Sequence, residues 1–285
     1  MHKFSLPSKE LSHLVKRIYE INIPHASTFA ENQVVPMGTG TITFVLKGNP
    51  RVKSLKGIQV IPDFILSGQY FPFFSFDSDV PLLYYGIALK PTASYKLFDI
   101  YLADIKNDFI NLEEIIGDEA GQVRLKLLQA DSTNERLSLL EDFMLQKLPV
   151  SPKYTHLDKL VDFIYQKQGI LKASELCEYA DVSRRYLEKK FRKIIGFTPG
   201  QFIQQVRFNF TCAEIARNER PVNDVLQKFD YYDRSHFMKN FKRYYGKDLS
   251  VLTGNNMSLF KEVYSNILHS ETENKYYSPF YAKVL

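Results

Sequence analysis

The chain has 285 residues, 45% of them hydrophobic and 24% charged, and its formal net charge is +5. This composition is typical of a soluble globular protein, and the length favours two domains that each bury a core. No apolar run approaches the roughly 20 residues that cross a bilayer, and residues 1–7 lack the apolar core of a secretory signal. We therefore expect a cytoplasmic protein with no membrane partner.

The positive charge is concentrated in one region. Residues 1–150 contain 15 Lys and Arg against 17 Asp and Glu, residues 151–250 contain 19 against 12, and residues 251–285 contain 3 of each. A basic segment beside a mildly acidic one indicates that one domain binds a polyanion while the other has a different role.

Residues 1–90 are predicted to be mainly β. Short runs of β-branched and aromatic residues alternate with turns rich in Gly, Pro and Asp, which is typical of a small antiparallel sandwich or barrel. The predicted strands are residues 41–46, 57–61, 64–66, 70–76 and 82–89. Aromatic side chains in these strands either line an apolar ligand pocket or form the core, and the pattern leaves both interpretations open. They are Phe44, Phe64, Tyr70, Phe71, Phe73, Phe74, Phe76, Tyr84 and Tyr85.

The period changes to helical near residue 92. Apolar residues 95, 98, 101 and 102 have helical spacing, shorter helical patterns follow, and a last helix is predicted over residues 134–148. These helices are expected to complete an N-terminal domain of residues 1–149. A linker containing two prolines follows it.

Every predicted element from residue 153 onward is a helix. A short helix over residues 173–179, a tight connection and a longer helix that begins after Ser183 form a helix-turn-helix pattern. A helix over residues 201–217 comes next. A second short helix, a turn and a longer helix that begins after Asp233 then repeat the pattern.

The two patterns are in phase. When Ser183 is aligned with Asp233, Phe191 falls on Phe241 without a gap. One helix-turn-helix pattern is a weak signal, because any three-helix bundle produces it, but two in phase are much stronger. Separated by a helix, two recognition helices can lie about one DNA turn, roughly 34 Å, apart.

The outward side of each longer helix is the candidate DNA-binding surface. The N-terminal part of such a helix enters the major groove, where Arg and Lys donate to guanine and Glu accepts from cytosine. The predicted base-reading residues are Arg184, Arg185, Glu188, Lys189, Arg234, Ser235 and Lys239. Cations further along or around these helices are predicted to bind phosphate. They are Lys190, Arg192, Lys193, Lys242 and Arg243.

Short motifs in both units match a known family. They are Ala180-Asp181-Val182-Ser183, Leu187, Phe191-Arg192, Gly196 and Thr198-Pro199, then Asp233, Ser235-His236-Phe237, Phe241-Lys242-Arg243 and Gly246. On these residues, the segment 153–249 resembles the DNA-binding domain of AraC-type (AraC/XylS) transcriptional regulators. The resemblance implies a seven-helix domain that binds DNA. Asp230 departs from the usual Gly in the second turn, and Asp248-Leu249 replaces a Ser/Thr-Pro pair.

The resemblance also bears on the N-terminal domain. It implies that residues 1–149 adopt a cupin-like β fold with flanking helices, which senses a small-molecule effector or mediates homodimerisation. An activator of this type would also contact RNA polymerase. The expected fold class is α+β, with this β domain followed by an all-α domain in which a linker helix joins the two helix-turn-helix units.

We therefore expect a sequence-specific bacterial transcriptional regulator that reads two adjacent major grooves of a double-stranded DNA operator and is controlled through its N-terminal domain. The alternative is a nonspecific DNA-binding or adaptor protein whose β domain binds a protein partner.

An enzyme is not expected. The six histidines are scattered, and no nucleophile-elbow, phosphate-binding or dinucleotide-binding glycine motif occurs. Cys177 and Cys212 are isolated, so neither a metal nor a cofactor is expected. The C-terminal extension, residues 250–285, contains helical and aromatic patterns without an assigned role.

Overall fold

The structure is a computed structural model that describes residues 2–34, 37–149, 155–217 and 219–253. These residues form two compact units. The first comprises the described residues up to 155 together with Glu188–Phe197, and the second comprises His156–Leu187 and the described residues from Thr198 onward. No helix in the described part of the chain is long and apolar enough to cross a membrane. The predicted linker and most of the C-terminal extension lie outside the described residues.

The first unit contains two antiparallel sheets. The described strands are β1 (His2–Ser5), β2 (Val15–Ile23), β3 (Gln33–Val34), β4 (Thr41–Lys47), β5 (Arg51–Ser54), β6 (Gly57–Val60), β7 (Phe64–Ser67), β8 (Phe74–Asp77), β9 (Leu82–Leu89) and β10 (Phe109–Asn111). One sheet has the order β1-β2-β9-β4-β7-β10 and the other β3-β8-β5-β6. The predicted β-rich N-terminal half is confirmed.

Eleven helices lie within the described residues. They are α1 (Ala93–Phe98), α2 (Glu113–Ile116), α3 (Glu119–Gln129), α4 (Thr133–Gln146), α5 (His156–Gln166), α6 (Ala173–Ala180), α7 (Arg184–Ile195), α8 (Pro199–Arg217), α9 (Val222–Lys228), α10 (Arg234–Tyr245) and α11 (Ser250–Thr253). The seven from α5 onward give the predicted all-α C-terminal half.

The larger sheet is covered by α3 and α4. Strand β4 alternates buried and less buried side chains, so that Ile42 and Phe44 point into the core. Phe143 of α4 meets Phe44 edge to face, with 6.0 Å between the ring centroids. Four of the nine aromatic residues singled out above are buried, namely Phe44, Tyr70, Phe76 and Tyr85, and the other five are half-buried. The core interpretation therefore holds for those four.

Several predicted boundaries were wrong, and α4 for example ends at Gln146 rather than at residue 148. Helix α1 ends at Phe98 because Asp99 adopts a left-handed conformation, so residues 101 and 102 lie in the following loop. The strand predicted over residues 70–76 is shorter, since Pro72 has no N–H to donate to a ladder and β8 begins at Phe74.

Helix α8 starts two residues earlier than predicted, at Pro199. Proline suits the first position of a helix, where the N–H has no intrahelical partner. Thr198 caps the helix, because its Oγ1 accepts from the Gln201 N–H at 3.1 Å while Gln201 Oε1 accepts from the Thr198 N–H at 3.0 Å.

Helix α8 is the centre of the second unit. Thirteen of its 19 residues are buried, and they lie on all sides of the helix. Phe208 stacks on Tyr244 of α10 with 4.7 Å between centroids and also contacts Phe237 and Phe241. Tyr165 of α5 meets Phe202 of α8 edge to face at 6.0 Å.

We expect Phe208→Ala to lower the free energy of unfolding of the second unit by about 3–5 kcal/mol, because it opens a cavity between α8 and α10. Urea denaturation followed by helical circular dichroism measures this loss. Tyr232→Ala is the control, since Tyr232 is 98% exposed, and it should shift the transition little. Equal effects of the two substitutions would contradict the role given to Phe208.

Candidate nucleic-acid interface

The first helix-turn-helix unit consists of α6 and α7. Asp181 ends α6 in a left-handed conformation, with φ of 50°. Ser183 caps α7, because its Oγ accepts from the backbone N–H of Tyr186 at 3.3 Å. The predicted N-cap is confirmed.

The second unit consists of α9 and α10. Asp230 has a φ of 55°, so this residue occupies the left-handed position that a Gly would otherwise fill. Asp233 caps α10, because its Oδ1 accepts from the His236 N–H at 2.6 Å. The left-handed residue precedes the cap by two positions in the first unit and by three in the second. The units are thus in phase from the cap onward, and their turns differ.

The inward rows of α7 and α10 match at an offset of 50 residues. Leu187, Phe191 and Ile195 are buried in α7, and Phe237, Phe241 and Tyr245 are buried at the equivalent positions of α10. Tyr245, and not its neighbour Tyr244, ends this row. Tyr244 is half-buried against Phe208. Burial raises the pKa of the Tyr244 phenol, against the lowering effect of the charges of Arg243 and Arg207.

The turn of the second unit is closed by an aromatic side chain. The Tyr231 ring meets Phe237 edge to face at 4.9 Å, and the Arg207 guanidinium of α8 lies 5.0 Å from the Tyr231 ring centroid. Burial raises the pKa of the Tyr231 phenol, and the charge of Arg207 partly opposes that rise. These contacts fix the start of α10 against α8.

The outward sides of α7 and α10 carry the predicted site residues. Of the predicted base readers, Glu188 is half-buried and the rest are exposed, namely Arg184, Arg185, Lys189, Arg234, Ser235 and Lys239. The predicted phosphate-binding residues Lys190, Arg192, Lys193, Lys242 and Arg243 are all exposed. Helix α7 contains six Lys and Arg against one Glu, and α10 contains four and no acidic residue. Such cationic faces suit a polyanion.

Two exposed side chains on these faces are not among the predicted base-reading residues. Tyr186 is 47% exposed at the third position of α7, and His236 is exposed at the equivalent position of α10. Tyr186 and His236 are separated by the same 50 residues as the two caps. This equivalence is the signal in the sequence that could have added them to the candidate site. Both can donate hydrogen bonds from a short, stiff side chain.

Asp233→Ala should lower the free energy of unfolding of the second unit by about 1 kcal/mol, because the N–H groups at the start of α10 lose their acceptor. Chemical denaturation measures the change. Asp233→Asn retains a capping oxygen and should restore most of the loss. If the Ala and Asn variants were equally stable, the capping contact would contribute nothing.

The structure therefore has two capped helix-turn-helix units after a β-rich domain. Comparisons with known proteins identify the type of the helix-turn-helix domain. Residues 176–253 match a family model described as a helix-turn-helix domain, and residues 3–111 match one described as a domain of unknown function (DUF6597). Residues 176–253 are a helix-turn-helix domain of the AraC type, as the sequence resemblance implied.

Curated relatives match only part of the chain. The regulatory protein SoxS of Salmonella typhimurium is 31% identical over 61 residues, which are 21% of this chain and 57% of that protein. The activator AarP of Providencia stuartii is 26% identical over 76 residues, 27% of this chain and 56% of that one. The Msm operon regulatory protein of Streptococcus mutans is 27% identical over 116 residues, 40% of this chain and 42% of that one. The chain thus spans less than two thirds of the length of these relatives.

A solved structure covers more of the chain. ToxT from Vibrio cholerae strain SCE256, crystallised with an unsaturated fatty acid, has a TM-score of 0.50 and 15% identity, over 85% of this chain and 96% of that one. The likeness shows a common fold, with a β-rich N-terminal half and a helical C-terminal half.

Proposed function

We propose that this protein is a transcriptional regulator that binds specific double-stranded DNA operators, with α7 and α10 each in one of two adjacent major grooves. The observation that carries the proposal is the pair of in-phase units, each with a capped helix that buries one row and exposes a cationic face. The names of SoxS, AarP and the Msm protein support a regulatory role.

The length of α8 supports reading of two grooves. A helix of 19 residues at 1.5 Å per residue is about 28 Å long, which approaches the roughly 34 Å of one DNA turn. Because α8 directly follows the first unit and its far end leads into α9, it can serve as the spacer between the two recognition helices.

Different residues of each helix would have different tasks. The first-turn side chains, such as Arg185 and Ser235, would contact base edges, while Lys242 and Arg243 in the last turn of α10 would bind phosphate. The proposal includes homodimerisation. It also includes contact with RNA polymerase if the protein is an activator, as the name of the relative AarP states for that protein.

The experiment compares two lysines of α10. Lys239→Ala should relax the preference at one operator base pair, at a cost of about 1–3 kcal/mol, because a base contact is lost. Lys242→Ala is a matched change one turn further along the same exposed face. It should weaken binding to all sequences alike and make the slope of log affinity against log salt less steep by about 1. Selection from a random duplex pool, followed by affinity measurements on selected and scrambled duplexes, reports both effects.

Equal affinity of the wild-type protein for selected and scrambled duplexes at every salt concentration would contradict sequence-specific binding. A steep salt dependence with that equality would instead favour the nonspecific DNA-binding or adaptor alternative.

Control through a small-molecule effector is supported by a cavity in the first unit. The cavity has a volume of about 730 Å³ among α1, α2 and the end of α4, with apolar lining residues that include Phe98 and Ile116, and with Lys96 and Lys147 also in its wall. The fatty acid in the ToxT crystal suggests an amphipathic carboxylate as the effector class. The wall combines apolar side chains with Lys96, Lys147 and Asp99, so the two lysines would have to bind the carboxylate while the apolar side chains contact the chain of the ligand.

Oleate, as the probe, should change the affinity of the wild-type protein for its selected duplex at least threefold. Ile116→Glu should abolish that response by placing a carboxylate in the cavity, because two like charges repel. Leu125→Glu on the exposed side of α3 is the control and should respond as the wild type does. An oleate effect that survives Ile116→Glu, or no effect on the wild type, would refute this site and ligand class.

A further inference from the structure

Three cations of the first unit lie where the loop after α1 contacts the end of α7, outside the predicted base-reading residues. Lys106 belongs to the loop between α1 and β10, and Arg192 and Lys193 belong to the last turns of α7. We call these three residues the cationic cluster. Sequence reasoning assigned phosphate to the two α7 residues and nothing to Lys106.

Aromatic rings hold the two lysines in place. The Lys193 ammonium lies 4.0 Å from the centroid of the Tyr101 ring, and the Lys106 ammonium lies 5.1 Å from that of Phe197. The Leu102 N–H donates to the Ile194 carbonyl at 3.3 Å, which ties the loop to the end of α7. These contacts stabilise cations without neutralising them.

The loop that carries Lys106 is anchored on its other side to the sheets. The Asn107 N–H donates to the Gln69 carbonyl at 2.9 Å, and Asn107 Oδ1 accepts from the Phe71 N–H at 2.7 Å. Gly68 passes so close to Ile105 that an added Cβ would lie 2.0 Å from the Ile105 oxygen. Lys106 therefore has a fixed position beside α7.

The cluster has no internal counter-charge. Within the described part of the chain, neither Lys106, Arg192 nor Lys193 forms an ion pair. Burial and then the charge of Arg192 lower the pKa of Lys106. The charges of Lys106 and Arg192 therefore repel each other, and a bound anion would offset this repulsion.

We propose that the cationic cluster binds the phosphate backbone of DNA, so that Lys106 adds a phosphate contact from outside the helix-turn-helix domain. The inference rests on the proposed function, because α7 must enter a major groove for its last turns to come near the backbone. A free anion would have the same chemistry as a backbone phosphate. Arg192 and Lys193 are exposed on a proposed recognition helix, however, so the phosphates of bound duplex DNA are the anions nearest to them.

The test uses the full chain with Lys106→Gln, Lys106→Arg and, as the matched control, Lys126→Gln on an exposed site of α3. Lys106→Gln should lower the affinity for selected and scrambled duplexes by the same factor, about three- to tenfold, and should make the slope of log affinity against log salt less steep by about 0.9. Lys106→Arg should retain the wild-type affinity and slope, because it keeps the charge. Lys126→Gln should change neither.

Chemical labelling of the wild-type protein gives a second measurement that needs no variant. A selected duplex should protect Lys106 from acylation by an N-hydroxysuccinimide ester, while Lys126 stays reactive. This readout decides the question if Lys106→Gln proves to be unfolded by circular dichroism.

Three results would overturn the inference. The first is an unchanged or increased affinity in folded Lys106→Gln, and the second is equal labelling of Lys106 with and without DNA. The third is a free-anion result: at equal ionic strength, inorganic phosphate stabilises the wild type more than chloride does, it does not do so for Lys106→Gln, and the substitution leaves the DNA affinity unchanged. A wild-type protein that does not distinguish selected from scrambled duplexes would instead refute the proposed function.

Discussion

The packing of aromatic side chains around α8 is the constraint on which the helical half of this protein depends. Phe202 and Phe210 face Tyr165 of α5, while Phe208 lies against the inward row of α10. Because α8 is buried on nearly every side, it cannot rotate or shift without opening cavities. A buried helix that leads directly into α9 fixes where the second helix-turn-helix unit begins.

The buried inner sides of α7 and α10 explain why their outward sides can carry such an excess of positive charge. Helix α10 is held by Phe237, Phe241 and Tyr245 on its inner side, so its outer side can carry four Lys and Arg and no acidic residue. Helix α7 follows the same plan through Leu187, Phe191 and Ile195. Repulsion among the exposed cations lowers stability, and the buried rows offset it. Such an arrangement is expected where the surface binds a polyanion.

Local signals in the sequence predicted the helix starts and the exposed faces that form the candidate site. Ser183 and Asp233 were predicted to precede helices because their side-chain oxygens can accept hydrogen bonds from backbone N–H groups of a first helical turn. Aligning these two residues gave the offset of 50 residues between the units. Tyr186 and His236 were not among the predicted base readers, because that prediction included only Arg, Lys, Glu and Ser side chains. The start of α8 was predicted at residue 201, although Pro199 also suits the first turn of a helix.

Tertiary contacts could not be predicted in the same way. Helical spacing through residue 102 predicted a longer α1, but Asp99 takes a left-handed conformation and the chain leaves the helix. The loop that follows is defined by Asn107 and Gly68, whose partners lie far away in sequence. The position of Lys106 beside Arg192 depends on those contacts, so no pattern along the chain could reveal it.

The central claim is that two recognition helices read neighbouring major grooves on one face of the duplex. Hydroxyl-radical footprinting of the wild-type protein on a selected duplex tests it most directly. The account predicts two protected windows whose centres lie about 10 to 10.5 base pairs apart, on the same face of the helix. A single window, or two windows on opposite faces, would contradict it.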